Sequence, residues 1–321
     1  MNYAFCGKSG LQLPKISLGL WHNFGYVDDY EEAKRMILHA FEQGVTHIDI
    51  ANNYGPPPGS AESNFGKILK ENLVSHRDEM IISSKAGYLM WNGPYGDGGS
   101  RKYLMASIDQ SLKRTGLEYF DIFYSHRYDS NTPIEETMQA LVDIVRQGKA
   151  LYVGLSNYPP DKARLAMNYL NEQRVPSLIY QGKYSMFNRQ PEEEILSVTK
   201  EYGSGFIAFS PLAQGVLTDK YLKGIPEQSR AADPAGFLRR EQVRPELVEK
   251  VKELNNIAQQ RGQTMAEMAV AWTLRDERVT SVIVGTRNVK QLQDNLNSLH
   301  NLDFTPEELT LIDNILGGAT L

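Results

Sequence analysis

Val45-Thr-His-Ile-Asp-Ile-Ala-Asn-Asn-Tyr54 carries an apolar run into a polar loop, with Asp49 near the end of the run and Tyr54 just past it. The pattern returns downstream. Met80-Ile-Ile-Ser-Ser leads into Lys85, and Phe120-Asp-Ile-Phe-Tyr-Ser leads into His126. Each run reads as a strand, and each is followed by an amphipathic helical segment. A strand–helix repeat that brings one reactive side chain to each strand end is how a barrel enzyme assembles its site.

Working outward, eight runs qualify as barrel strands: Ile16–Leu20, Val45–Ile50, Met80–Ser84, Phe120–Ser125, Ala150–Leu155, Leu178–Tyr180, Phe206–Ser210 and Val279–Val284. Most are short continuous apolar stretches, as expected of parallel strands covered by helices. In Tyr30–Gln43, residues Ala33, Met36, Ile37, Ala40 and Phe41 form one apolar stripe, with Gly44 at the expected stop. Pro133 opens Ile134–Arg146 and Gly148 closes it. The expected fold is a TIM (β/α)8 barrel, α/β in class, with residues 1–321 as one domain. Tyr3–Pro14 reads as a hairpin able to cover the barrel's bottom. Leu217–Pro245 is a long, charged, Gly- and Pro-containing insertion after the seventh strand, of a length that usually marks a functional or mobile loop. Helices over Glu246–Gln260 and Met265–Arg275 precede the eighth strand, and Pro306–Leu316 follows it.

Composition narrows the function classes. The 321 residues are 41% hydrophobic and 23% charged, with 34 basic against 39 acidic residues and a net charge of −5. That balance argues against nucleic acid as a partner. Cys6 is the only cysteine, so neither an internal disulfide nor a cysteine-built metal site can form. The histidines also fall outside the close spacing of a metal motif. Met1–Lys8 lacks a signal-peptide core, and no run of 18 apolar residues could cross a bilayer. A soluble cytoplasmic protein is expected.

Asp49, Tyr54, Lys85 and His126 make sense as one constellation. A lysine following apolar and small residues needs a partner if buried, and Asp49 supplies it if strands two and three are neighbours. An ammonium beside a phenol favours the phenolate, so Tyr54 is expected to have a lowered pKa and to serve as a general acid. Singly, a loop tyrosine or a strand-end histidine has a plain structural explanation. All four at the same end of three consecutive strands point to a site.

With its surroundings, Asp49-Ile-Ala-Asn-Asn-Tyr54-Gly resembles the first signature of the aldo-keto reductase family, with Lys85 and His126 completing the tetrad. The resemblance spans almost the whole chain. Gly19–Gly25, Gly55–Glu62 and Tyr124-Ser-His-Arg127 are closer still to the bacterial L-glyceraldehyde 3-phosphate reductase branch, itself related to β subunits of voltage-gated potassium channels. The resemblance implies NADPH-dependent reduction of a small carbonyl compound, such as glyceraldehyde 3-phosphate or methylglyoxal. In it Tyr54 protonates the oxygen, Lys85 tunes Tyr54, Asp49 holds Lys85 and His126 orients the carbonyl. It also implies a homo-oligomer, of tetramer or octamer type. The alternative is a cofactor-binding auxiliary subunit like the channel branch. His126, where that branch commonly has Asn, and the start of the chain so close to the fold both favour the reductase.

No G-x-G-x-x-G or G-x-x-x-x-G-K-[ST] occurs, so the cofactor must be held by other means. By resemblance, Ser156, Asn157 and Gln181 take the nicotinamide carboxamide, near Trp21 and Asp49. Phe209 stacks under the ring, although a core phenylalanine would look the same. Ser210, Leu212, Gln214 and Gly215 follow the pyrophosphate. Gly285, Arg287, Gln291 and Asn295 hold the adenosine end, with Lys220 from the insertion as a second phosphate-side cation. Arg287 departs from the branch, which usually has Ser there; its guanidinium can pair bidentately with a 2′-phosphate, unless it and Lys220 are solvated surface cations. A turn into a helix after the eighth strand also offers free backbone N–H groups to an anion. For substrate, Trp21, Tyr54, Trp91 and His126 can line an aromatic pocket. Arg127 can anchor an anionic group unless Asp129 takes its charge, and Gly93–Lys102 is either a substrate-contacting loop or a linker.

Overall fold

The computed structural model describes residues 1–227, 229–232 and 238–318. Two short strands, β1 (Tyr3–Phe5) and β2 (Gln12–Pro14), pair antiparallel as the anticipated hairpin. Eight parallel strands follow: β3 (Ile16–Gly19), β4 (His47–Asp49), β5 (Ile81–Ala86), β6 (Phe120–Ser125), β7 (Ala150–Ser156), β8 (Ser177–Lys183), β9 (Gly205–Phe209) and β10 (Val279–Val284). They close in the order β10-β3-β4-β5-β6-β7-β8-β9. The (β/α)8 barrel read from the sequence is therefore the fold.

Helices coat the outside, and their ends are chemically marked. Asp29 accepts the Glu32 N–H to cap Tyr30–Glu42, which buries Ala33, Met36, Ile37 and Ala40. Thr264 and Thr305 form reciprocal capping boxes with Glu267 and Glu308, starting Met265–Leu274 and Pro306–Leu316. Each cap satisfies donors that the first helical turn leaves open. The large apolar core lies between these helices and the barrel.

Inside the barrel is a smaller apolar cluster: Ile122, Tyr124, Leu178, Ile179, Ile207 and Ile283, sealed from below by Cys6 and Leu13 of the hairpin. Close approach decides two residue types here. A Cβ on Gly154 would lie 2.5 Å from the Tyr124 ring, and one on Gly205 would lie 2.6 Å from the Cys6 sulfur. The remaining interior is polar: Ser17, His47, Asp49, Ser83, Lys85, Gln181 and Ser281 are all buried. Buried polar groups are tolerable only if bonded to one another, and these are.

The insertion contains 3-10 turns at Asp219–Tyr221, Arg230–Ala232 and Arg240–Gln242, in place of regular helix. Residue 228 and residues 233–237 of the insertion, and 319–321 at the C-terminus, lie outside the described residues. Among the described residues no helix is long and apolar enough to cross a membrane.

Candidate active site

Strand register brings the four sequence-selected residues together. Asp49 on β4 pairs with Ser83 on β5, and Lys85 on β5 pairs with Tyr124 on β6. One residue past β6, the His126 N–H donates to the Ala86 carbonyl at 2.9 Å. Lys85 is fully buried, and its ammonium donates to Asp49 Oδ2 at 2.6 Å, to the Ile50 carbonyl at 2.6 Å and to the Tyr54 phenol oxygen at 3.4 Å. The other Asp49 oxygen accepts from Ser83 at 2.8 Å and from the Gln181 amide at 3.0 Å. Asp49 thus holds the cation that touches the phenol, as expected from the sequence.

The electrostatics differ from expectation in one respect. The Tyr54 phenol is raised well above its ordinary value, first by burial and then by the Asp49 charge. The Lys85 ammonium at 3.4 Å still favours the phenolate, but burial and the Asp49 charge outweigh it. Burial lowers Lys85, with Asp49 opposing. Tyr54 therefore keeps its proton at neutral pH, which a general acid requires. His126 is held well below its ordinary value by burial, then by the Lys85 and Arg127 charges, so its imidazole is neutral. Its Nδ1 is buried without a hydrogen-bond partner. Among the described residues no cluster of His, Cys, Asp and Glu is arranged to hold a metal ion.

Aromatic rings build the wall. Tyr54 lies 6.4 Å from Trp21 and 6.0 Å from His126 between ring centroids. Tyr88, which sequence reasoning missed, stands edge-on to His126 at 4.7 Å. Trp91 packs on Tyr103 at 5.2 Å, and the Tyr103 hydroxyl bonds the Tyr88 carbonyl, so Trp91 backs Tyr88 through Tyr103. Arg127 covers the Tyr88 ring and pairs with Asp97 at 2.9 Å. Asp129 was expected to compete for that charge. Its carboxylate instead accepts from the Gly99 N–H, the Asn131 N–H and the Thr132 hydroxyl, pinning the glycine-rich loop.

The cofactor-type positions gather around the same mouth. Ser156 is buried, and the Asn157 amide donates to the His126 carbonyl at 3.1 Å. Phe209 is half-buried over the interior apolar cluster. Ser210 and Gln214, with Ala213 between them, have φ of 57°, 58° and 46°. Left-handed backbone at non-glycine residues is costly, and it collects where function requires it. Leu212 and Gly215 share this turn. Asn295 is buried, while Gly285, Arg287 and Gln291 are exposed.

The helix after β10 begins at Val289, capped by Asn288. Its expected free N–H groups are partly occupied: Gln291 N donates to Asn288 at 2.9 Å, and Val289 N donates to Glu32 at 3.2 Å. Side-chain cations are left to attract an anion. Lys220 and the half-buried Arg230 are both held below their ordinary values by burial and by the Arg287 charge, and the Arg230 guanidinium flanks Gly285. The three cations thus lie near enough to repel one another. Arg230 escaped notice because the insertion has no periodicity to mark it.

A model of the aldo/keto reductase family matches residues 15–316. The chain belongs to the aldo/keto reductase family. It is 54% identical to an L-glyceraldehyde 3-phosphate reductase of Escherichia coli O157:H7, over 100% of this chain and 94% of that protein. The K12 strain's reductase of the same name is 52% identical, with the same coverage. A probable voltage-gated potassium channel subunit beta of Oryza sativa subsp. japonica is 34% identical, over 98% of this chain and 97% of that one. The family's chemistry supplies a reason for the phenol, ammonium and carboxylate to meet at the barrel mouth.

Proposed function

We propose that this chain reduces small aldehydes to alcohols with NADPH, glyceraldehyde 3-phosphate foremost and methylglyoxal as the neutral alternative. The observation that carries the chemistry is Lys85, buried between Asp49 Oδ2 at 2.6 Å and the Tyr54 oxygen at 3.4 Å. The substrate class rests on the relatives at 54% and 52% identity and on Arg127 beside His126.

NADPH, when bound, supplies the hydride. Tyr54 keeps the proton until negative charge grows on the substrate oxygen, then gives it up. Lys85 stabilises the phenolate left behind, and Asp49 keeps Lys85 charged and in place. The neutral His126 donates a ring N–H to the same oxygen. Donors aimed where charge develops lower the transition state more than the ground state. Ser156, Asn157 and Gln181 would hold the carboxamide, with Phe209 and Trp21 against the ring. Ser210, Leu212, Gln214 and Gly215 would follow the pyrophosphate. Lys220, Arg230, Gly285, Arg287, Gln291 and Asn295 would take the adenosine end, with the cations favouring a 2′-phosphate. The one barrel serves both ligands and self-associates, which light scattering on the purified protein would measure.

The test is NADPH oxidation by the purified protein against short aldehydes with and without a phosphate. Turnover with a phosphorylated aldehyde, abolished by Tyr54→Phe, supports the proposal. Cofactor binding with no turnover on any aldehyde favours the auxiliary-subunit reading instead.

A further inference from the structure

Five side chains in the barrel interior form an unbroken hydrogen-bonded row. Ser281 Oγ lies 2.7 Å from Ser17 Oγ, Ser17 Oγ lies 2.8 Å from His47 Nδ1, and His47 Nε2 lies 3.0 Å from Ser83 Oγ. Ser83 Oγ then meets Asp49 Oδ1 at 2.8 Å. Ser281, Ser17, His47 and Ser83 are completely buried. The catalytic scheme accounts for Asp49 and leaves the other four without a task.

Proton counting fixes the direction of the row. A carboxylate only accepts, so the single Ser83 hydrogen goes to Asp49, a charge-assisted bond shorter than its other option, the Ile48 carbonyl at 3.5 Å. The Ser83 oxygen must then accept, which makes His47 Nε2 a donor. A neutral imidazole has one N–H, so Nδ1 accepts from the Ser17 hydroxyl, and Ser17 accepts from Ser281. Burial keeps the ring neutral, lowering His47 to about 4 even with Asp49 nearby to raise it and Lys85 opposing. Every hydrogen in the row points toward Asp49.

We propose that His47 is a positioning residue for the reductase. Locked in the Nε2–H tautomer, it holds the Ser83 hydroxyl on one Asp49 oxygen so that the other stays aimed at Lys85. Without the row, Ser83 is free to rotate toward Ile48, and the Gln181 amide at 3.0 Å is left as the one donor steadying that carboxylate oxygen. The Lys85–Tyr54 contact, already long at 3.4 Å, loosens with it.

The role in turnover rests on the reductase reading, whereas the tautomer does not, so the two are measured separately. Histidine labelled with ¹⁵N in the full chain, with His47 assigned by loss of its signals in His47→Gln, reports the tautomer at neutral pH through long-range ¹H–¹⁵N spectra. A pyrrole-type Nε2 with a pyridine-type Nδ1 is expected; an Nδ1–H ring or an imidazolium overturns the proposal.

For turnover, Ser83→Ala and His47→Leu should each lower kcat roughly ten-fold, about the value of one buried hydrogen bond, with cofactor affinity unchanged. The double variant should be no worse than the poorer single one, because both break the same link. His47→Gln can place an amide N–H where Nε2–H stands and should recover most of the loss. His47→Asn, which reaches only the Nδ1 position, should not. Equal recovery by Gln and Asn, or additive losses, overturns the positioning role. If His47→Leu does not fold, Ser83→Ala and the Gln–Asn pair still decide.

Discussion

Replacing Lys85 by Met keeps most of the side-chain bulk and removes the ammonium that lies 2.6 Å from Asp49 and 3.4 Å from the Tyr54 oxygen. At an effective dielectric of about 20, unit charges at the second distance interact by about 5 kcal/mol. Asp49 cancels part of that field, and the phenolate is only partly formed in the transition state. About 2–3 kcal/mol should reach the barrier, a loss in kcat of roughly 30- to 150-fold. Stability falls as well, because Asp49 is 2% exposed and loses its cation. It keeps the Ser83 hydroxyl and the Gln181 amide, so the cost should sit near the low end of the roughly 3–5 kcal/mol typical of a broken buried pair. The assay is NADPH oxidation at saturating aldehyde, well below the variant's melting midpoint, beside a fluorescence titration of cofactor. The titration should match the parent, since Lys85 lies beneath the phenol. A folded variant with kcat within about two-fold of the parent would refute the role given to Lys85.

Arg287→Ala should weaken NADPH binding about ten-fold and leave NADH nearly unchanged, since only the former carries a 2′-phosphate; equal weakening of both would place Arg287 elsewhere on the cofactor or in the fold. Arg127→Ala should raise KM for glyceraldehyde 3-phosphate more than for methylglyoxal, and Asp97→Asn should do the reverse by releasing Arg127 from its 2.9 Å partner; parallel changes for both substrates would make the pair structural. His47 has a folded value of about 4 against about 6.5 unfolded, so the unfolded chain alone binds a proton between them. Its stabilisation is therefore full above the upper value and is lost as pH falls, about 2 kcal/mol between pH 7 and pH 5; urea melts should show a shallower pH dependence in His47→Gln, and an unaltered slope would count against a buried neutral ring.

The barrel was legible because its strands are short apolar runs with a polar residue at the same end of each. Pro306–Leu316 and Ile134–Arg146 matched to the residue, where Thr305, Pro133 and the flanking glycines punctuate the chain. The Asp49–Lys85 pair was legible too, since a buried lysine demands a carboxylate and strand order supplies Asp49. Other features depended on contacts between distant segments. Tyr88 reaches His126 only because loops after β5 and β6 adjoin, and Asp97 wins Arg127 from Asp129 only because the glycine loop folds back. The direction of the Tyr54 shift was misread for a related reason. Burial and the Asp49 charge act on it as strongly as any neighbouring cation, and neither can be weighed from residue order.

The hairpin plug carries a consequence for the traffic of protons. Cys6 and Leu13 close the barrel's lower end against Ile122, Ile179 and Ile207, and the Cys6 thiol is tied to the Leu178 carbonyl. Among the described residues, these apolar groups stand between the polar interior and the barrel's lower end. With that end apolar, Tyr54 is expected to regain its proton through the mouth by which the aldehyde enters and the alcohol leaves. Recharging the acid and clearing the product share one door, and each cycle has to complete both before the next begins.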